Sequence, residues 1–499
     1  MKDRLKSNKL LSPVITMLLI IIFISILSFI FEKVNLDGSI TSIVNGKLET
    51  SMVVVKSIFS KDGIIYMLSN LTNNFNLLEQ LVLIIIGLFS VSILDASGIL
   101  KHIFSPLRRI KTKFITFLVV FVGIISTVFL DYSYIILIPL VSVMYKYLNR
   151  NPILGIITVF IGITLGYGTG IIYNYNDYSF GMLTQLAATI EVDPSYTYNV
   201  FSSIYIKIVS TFLISFIMTF LIEKNVTKNM PVYEIEEDEL KTSKKGLIIS
   251  LISGMAVVLI VMIGALPNGI LLDNTQTSYL AKLFSNNAPF NLSFMYIFLF
   301  ICAVIGLVYG YISKNFDNNH EYSAGFTKEF NNLGYLFILL FLSSVLISII
   351  NWTNIGTVFV GKIMYLLEVL DFTGIPLIIT TFILICVMSI FMPGSLEKWT
   401  LISPTLVPIF MRANITPDFT QFMFGIADSI GRCVTPLFVF FIITLGFIQK
   451  YNKDNRISLF NTFKYTLPIV GTMIIFWILI LVLWYISGLP LGIGTYATM

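Results

Sequence analysis

The sequence predicts an all-α integral membrane protein with about nine transmembrane helices and two re-entrant hairpins in an inverted repeat. Hydrophobic residues make up 56% of the 499 residues, charged residues only 12%, and the mean hydropathy is +0.88, far above that of soluble domains. Apolar runs of about 18 residues or more, long enough to cross a bilayer as a helix, recur along the chain. Asp, Gly, Ser and Pro interrupt several of these runs at mid-length.

The first apolar run, Leu11 to Phe31, follows a basic N-terminal tail and has no small-residue cleavage site, so it predicts a retained span. Lys and Arg cluster in a few loops, and the positive-inside rule places these loops and the N-terminus in the cytoplasm and the C-terminus outside. The net charge of +5 therefore reflects topology and not nucleic-acid binding. The mixed segment from Glu32 to Asn76 carries no clear structural signal.

The first half, residues 1–231, contains a predicted cytoplasmic-side hairpin over residues 114–148. Two full crossings would each need about 20 residues plus a turn, so this stretch suits a re-entrant hairpin with Asp131 near its tip. Residues 152–186 then begin as an apolar helix and break at Gly166, Gly168 and Gly170. Each glycine costs about 1 kcal/mol in a helix interior, which predicts a discontinuous helix.

A charged linker, residues 232–245, separates this half from the second, residues 246–499. The second half contains a predicted outer-side hairpin over 375–411 and a broken helix over 419–447. A hairpin followed by a broken helix therefore occurs twice with opposite orientation. Many transporters place a binding site near the bilayer midplane with such an inverted repeat.

Asp177 and Asp428 occupy corresponding places in the two predicted broken helices. A carboxylate at the bilayer centre costs about 2.5–3.5 kcal/mol on insertion scales, so it persists where it meets water, a cation or a partner. Both are candidates for coupling-ion residues, binding a proton or, at Asp428, a sodium ion. The structural alternative for Asp428 is an ion pair with Arg432, four residues further along the same helix.

The second hairpin carries Glu397, Lys398 and Trp399 in succession. Adjacent helical residues do not face each other, so one of the two charged side chains is expected to point to water. The Trp399 indole is suited to stacking on an aromatic solute, although a tryptophan in a membrane protein is as often an interfacial anchor.

Motifs in this region resemble those of a known family. They comprise a Gly/Ser-rich tip followed by Lys398-Trp399, the prolines Pro404 and Pro408, Thr416-Pro417, Ile426-Ala427-Asp428-Ser429, Thr435-Pro436-Leu437 and Gly488-Leu489-Pro490. Matches in the first half include Asp95-Ala96-Ser97-Gly98, Ile138-Pro139-Leu140 and Asn151-Pro152. The chain is thereby similar to the AbgT family of p-aminobenzoyl-glutamate transporters, some of which export sulfonamides.

This resemblance implies nine spans, two hairpins, a homodimer and coupling to an ion gradient. Trp399, Pro417, Asp428 and Pro436 match family site positions directly, and Asp177 matches by its position in the first broken helix. The chain departs from the family where many members have Arg at the position of Gly425, Asn at Ser389 and Ser at Leu396. Arg432 would return a positive charge to the other side of Asp428.

These observations predict a secondary transporter in the plasma membrane of a bacterium. It would use the proton motive force or a sodium gradient to move small aromatic anions such as p-aminobenzoyl-glutamate. Alternatively, it would export sulfonamide-type antimetabolites and so act in antibiotic efflux. Asp428 and Asp177 would handle the ion. The predicted substrate-binding residues are Ser389, Ser395, Trp399, Pro417, Arg432 and Pro436.

No cofactor or enzymatic activity is expected, since motifs for ATP hydrolysis and for zinc or serine proteolysis are absent from the sequence. One alternative is an intramembrane aspartyl protease that uses Asp177 and Asp428, although Ala427 replaces the second glycine of its GxGD motif. A channel is the other alternative, which flux without saturation would favour.

Overall fold

The computed structural model describes residues 11–44, 46–76, 80–230, 233, 239–285, 287–331, 333–452 and 457–499. The basic N-terminal tail and the acidic stretch 234–238 of the predicted linker lie outside the described residues. The described chain is mainly helical, as predicted, and its elements are numbered here in chain order.

The first half contains α1 Pro13–Lys33, β1 Asp37–Val44, β2 Lys47–Val54, α2 Lys61–Asn76, α3 Gln80–Ala96, α4 Ile99–Phe104, α5 Thr112–Ser126, α6 Tyr132–Tyr147, α7 Pro152–Gly166, α8 Tyr175–Glu191 and α9 Ile204–Leu221. The second half contains α10 Lys244–Gly264, α11 Tyr279–Phe284, α12 Pro289–Ser313, α13 Asn319–Thr327, α14 Gly334–Thr353, α15 Ile355–Leu370, α16 Gly374–Phe391, α17 Ser395–Arg412, α18 Pro417–Arg432, α19 Val439–Tyr451 and α20 Leu459–Ser487.

Within the described residues, nine helical stretches are long and apolar enough to cross a membrane, which agrees with the predicted number. They are Pro13–Lys33, α2 taken together with α3, Thr112–Phe129, Ile204–Asn229, Lys244–Gly264, Pro289–Ser313, Gly334–Thr353, Gly374–Phe391 and Leu459–Ser487. Two of them, Thr112–Phe129 and Gly374–Phe391, lie in the segments assigned from sequence to hairpins. Large apolar side chains such as Phe23, Phe216 and Ile260 are exposed on these helices, as a lipid-facing surface requires.

A β-hairpin interrupts the otherwise helical fold in the segment that carried no sequence signal. β1 and β2 pair in antiparallel fashion, with Asp37 opposite Val54. β1 lies on α15 and α17, and the approach to α15 is close, since a Cβ atom on Gly361 would lie 2.7 Å from the carbonyl oxygen of Ser39. Lys362 of α15 also pairs with Asp37 at 3.0 Å.

Two helix pairs occupy the predicted hairpin segments. A short 3-10 turn, Thr127–Phe129, connects α5 to α6, and residues 392–394 connect α16 to α17. Each pair is followed by two helices with an interruption between them. α7 ends at Gly166 before α8 begins at Tyr175, and α18 ends at Arg432 before α19 begins at Val439. The re-entrant paths and the inverted repeat stay predictions.

The two interrupted helices contact each other directly. A Cβ atom on Gly168, in the first interruption, would lie 2.6 Å from the backbone nitrogen of Ile426 in α18, so only glycine fits there. α8 packs along α17, and the Thr184 hydroxyl donates to Gln421 Oε1 of α18 at 2.8 Å. The site is therefore assembled from both halves of the chain.

Candidate transport site

The ends of α16 and α18 and the start of α17 meet at a buried polar cluster. The close approach of α16 and α18 depends on Gly431, where a Cβ atom would lie 2.3 Å from the carbonyl oxygen of Cys386. This approach brings Ser389 of α16 against Asp428 of α18. The proline and glycine of the connecting turn, Pro393 and Gly394, then direct the first turn of α17 toward the same carboxylate.

The carboxylate of Asp428 is buried and contacts groups from all three helices. Ser389 Oγ donates to Oδ1 at 2.9 Å, and Ser395 Oγ donates to Oδ2 at 2.5 Å. The ammonium group of Lys398 also donates to Oδ1 and lies 2.6 Å from Ser389 Oγ. Ser389 and Ser395, predicted to bind substrate, thus both donate hydrogen bonds to Asp428, the predicted ion-coupling aspartate.

Arg432 supplies a second cation beside Asp428. Its Nε atom lies 3.2 Å from Asp428 Oδ2, the i,i+4 pairing considered from the sequence, yet this N–H has no hydrogen-bond partner among the described residues. The guanidinium carbon lies 4.4 Å from the ring centre of Tyr167 and 5.4 Å from that of Phe438, within cation–π range. Arg432 therefore combines a loose ion pair with two aromatic contacts.

Lys398 belongs to the buried cluster, although the sequence did not place it among the predicted site residues. Its side chain is fully buried, whereas the neighbouring Glu397 is exposed, so of the two charged residues Glu397 points outward as the helical spacing required. A fully buried lysine is rare unless it is paired, and Lys398 is paired with Asp428. The signal in the sequence was a lysine at the tip of an apolar hairpin, three residues after Ser395.

A cavity of about 430 Å³ lies beside this cluster, where both helix-connecting turns and both interruptions meet. Ser395 and Arg432 line it, and of the predicted site residues these two alone are in its wall among the described residues. Asp131, at the turn before α6, and Glu397 add carboxylates to the wall. The hydroxyl group of Tyr167, which also lines the cavity, donates to Asp131 Oδ1 at 3.4 Å. The cavity thus offers one cation, two carboxylates and aromatic rings to a ligand.

Asp177 lies outside this cluster, in the first turn of α8. Its Oδ2 accepts from the backbone N–H of Asn174 and the Asn174 side chain accepts from the backbone N–H of Asp177, a reciprocal cap of the helix. Lys207 of α9 pairs with its Oδ1 at 2.5 Å. Each of the two predicted ion-coupling aspartates therefore has a separate lysine partner.

Trp399 is fully buried between α8, α17 and α18. Its Nε1–H lies 3.2 Å from the carbonyl oxygen of Phe180 and 3.1 Å from Thr184 Oγ1, and its ring centre lies 4.4 Å from that of Phe424. Pro417 occupies the first turn of α18, and Pro436 lies in the interruption after it. Contact of these three residues with a solute stays a prediction.

An ammonium, a guanidinium and two hydroxyls contact the two carboxylate oxygens of Asp428, and a sodium ion at this carboxylate stays a prediction. Elsewhere in the described part of the chain, no three His, Cys, Asp or Glu side chains gather as metal ligands would. The cluster presents groups that can exchange protons and can form an ion pair with an organic solute.

A helical membrane protein in which interrupted helices surround a buried charged cluster and a cavity has the architecture of a secondary transporter. The chain belongs to the AbgT putative transporter family, whose model matches residues 4–499. The protein is accordingly a multi-pass membrane transporter of a small molecule and not an enzyme, which removes the aspartyl protease alternative.

Three relatives cover nearly all of the chain. The p-aminobenzoyl-glutamate transport protein of Escherichia coli (strain K12) is 21% identical over 98% of this chain and 95% of its own length. The solved YdaH transporter of Alcanivorax borkumensis is 21% identical with a TM-score of 0.48, over 97% of this chain and 100% of that one. The solved MtrF of Neisseria gonorrhoeae, described as illuminating a class of antimetabolite efflux pumps, is 25% identical with a TM-score of 0.48, over 98% of both chains.

Proposed function

We propose that this transporter moves small aromatic carboxylates of the p-aminobenzoyl-glutamate type across a bacterial plasma membrane, driven by an ion gradient handled at Asp428 and Asp177. The Escherichia coli relative supports the substrate class by its name. The protein would function as a homodimer with its N-terminus in the cytoplasm and its C-terminus outside, as its loop charges favour.

The cavity beside Asp428 carries this proposal. Its volume of about 430 Å³ is in the usual range for small-molecule sites. In p-aminobenzoyl-glutamate an aromatic amine stands at one end and two carboxylates at the other. Arg432 would bind a carboxylate, Asp131 or Glu397 would accept from the amine, and the rings of Tyr167 and Phe438 would contact the benzoyl group.

The other predicted residues would act through the fold of this site. Ser389 and Ser395 would orient the carboxylate of Asp428, while Trp399, Pro417 and Pro436 would position α17 and α18. Asp177 would respond to the ion through its pair with Lys207 at the start of α8. Alternating access would then follow from movement of the turns and interrupted helices against the remaining spans.

The experiment is uptake of labelled p-aminobenzoyl-glutamate into proteoliposomes under an imposed pH or sodium gradient. Saturable accumulation above the external concentration supports the proposal, while flux that never saturates supports a channel. Asp428→Asn should abolish uphill accumulation, and Asp371→Asn, at an exposed position directly after α15, is the matched control. Uphill accumulation by a folded Asp428→Asn variant would remove Asp428 from the coupling role.

Ligand analogues test the proposed orientation in the cavity. Benzoyl-glutamate lacks the amine and p-aminobenzoate lacks the glutamate, so each should bind more weakly than the parent compound. Arg432→Gln should weaken binding of the parent by about tenfold or more, since it removes a charge-assisted contact, and should leave a sulfonamide without a carboxylate nearly unaffected. Equal losses for both ligands would contradict carboxylate recognition by Arg432.

A further inference from the structure

The charges in the buried cluster are unequal in number. Asp428 contributes one negative charge, while Lys398 and Arg432 each contribute a positive one, and all three side chains are at most 5% exposed. Unbalanced charge is costly in a buried site. The excess can be removed when an anion binds or when one cation loses its proton.

Only one of the two cations can lose a proton. Arginine stays protonated in proteins, whereas a lysine in a buried site can become a neutral amine. The groups that act electrostatically on Lys398 are Asp428 and Arg432 from α18 and the thiol of Cys386 from α16. Three carboxylates on the other elements that pack against α17 are paired elsewhere, Asp177 with Lys207, Glu191 with Arg412 and Asp37 with Lys362, and a fourth, Glu368 of α15, is exposed. Asp131 acts on Arg432 from the cavity wall, beyond Tyr167.

Lys398 and Arg432 also share a single carboxylate. Lys398 donates to Asp428 Oδ1, and Arg432 forms an ion pair with Oδ2 through an Nε–H that has no hydrogen-bond partner in the described part of the chain. Arg432 lines the cavity, whereas Lys398 does not. In this arrangement the guanidinium has hydrogen-bonding capacity to spare for a ligand.

We propose that the proton on Lys398 controls carboxylate binding at Arg432, and this inference rests on the proposed function. When Lys398 is charged, it shares the Asp428 carboxylate with Arg432, and Arg432 is available to bind the substrate carboxylate. The Lys398 ammonium can pass its proton to Asp428 and from there, through the hydroxyl group of Ser395 in the cavity wall, to water. Asp428 then pairs fully with Arg432, and the substrate is released. Proton and substrate therefore travel together and separate on the alkaline side.

The test measures the dissociation constant of p-aminobenzoyl-glutamate for the full-length protein in detergent between pH 6 and 9. Substrate carboxylates stay ionised over this range, with ordinary pKa values of about 4. The wild type should lose affinity as pH rises, by up to tenfold per unit. Lys398→Arg, which keeps its charge, should bind with an affinity that does not depend on pH, and Lys398→Met should bind at least tenfold more weakly at pH 6.

The outcomes separate this inference from the proposed function. Affinity that stays constant with pH in the wild type, or the same decline in Lys398→Arg as in the wild type, overturns the role of Lys398 while p-aminobenzoyl-glutamate remains a ligand. Absence of wild-type binding at every pH overturns the proposed substrate itself. If Lys398→Arg does not fold, the wild-type profile and the Lys398→Met affinity at pH 6 decide the question.

Discussion

Replacing Asp428 with asparagine should be far more damaging than replacing Lys398 with methionine, although both changes remove one charge from the same ion pair. The wild-type cluster has a net charge of +1, from Lys398, Arg432 and Asp428. Asp428→Asn raises this to +2 and leaves two buried cations without an anion. Lys398→Met lowers it to zero and leaves the Asp428–Arg432 pair intact.

The expected magnitudes follow from burial. Removing one partner of a buried ion pair typically costs about 3–5 kcal/mol, and two like charges about 4 Å apart repel by about 4 kcal/mol at an effective dielectric constant of 20. Asp428→Asn should therefore lose at least about 3 kcal/mol of stability. Lys398→Met loses the hydrogen bonds to Ser389 and Asp428 but replaces a buried charge with an apolar chain of similar length, so its cost should stay below about 2 kcal/mol.

Melting of the purified variants in one detergent measures this order. The double variant Asp428→Asn/Lys398→Met removes one excess cation and should melt above the single Asp428→Asn variant. The importance of the net charge would be refuted if Lys398→Met had a melting temperature at or below that of Asp428→Asn. It would also be refuted if the double variant melted no higher than Asp428→Asn.

Five further substitutions test the contacts of Gly168, Asp95 and Trp399. Gly168→Ala should prevent folding or transport, because the added Cβ atom would lie 2.6 Å from a backbone nitrogen of α18. Gly425→Ala is the control: its added Cβ atom would lie 3.7 Å from the nearest atom, so this variant should behave as wild type in size-exclusion and uptake assays. Asp95→Asn should lower the melting temperature and reduce stability by about 2 kcal/mol, because this buried carboxylate pairs with Lys328 at 2.6 Å. Tyr147→Phe removes one hydrogen bond to Asp95 and should reduce stability by about 1 kcal/mol. Trp399→Phe should reduce stability by about 1–2 kcal/mol and leave ligand affinity within twofold, because the indole N–H bonds within the protein; a tenfold loss of affinity would show solute contact instead.

Apolar composition and run length were sufficient to predict a helical membrane protein with nine candidate spans, because a bilayer demands long apolar helices. The glycines after residue 165 and Pro436 predicted interruptions, and helices of the structure end at Gly166 and Arg432. The hairpin β1–β2 could not be predicted, because few of its side chains are buried and its strands show no regular apolar alternation.

The sequence predicted the contact between Asp428 and Arg432 but not the second buried cation, Lys398. The spacing of Asp428 and Arg432 suggested their pairing, since residues four apart share a helix face. The position of Lys398 depends on three helices that meet through contacts at Gly431 and the turn at Gly394, and no spacing within one helix reveals such a contact. The burial of Trp399 depends likewise on packing between the two halves.

Proton-coupled transport controlled by Lys398 is tested most directly by accumulation of p-aminobenzoyl-glutamate in proteoliposomes whose interior is more alkaline than the medium, with no sodium present. The wild type should accumulate substrate uphill. Lys398→Arg should lose this accumulation and retain exchange of labelled for unlabelled substrate. Accumulation in an acidic interior, accumulation that requires sodium at equal pH, or a Lys398→Arg variant that still accumulates substrate would contradict this mechanism.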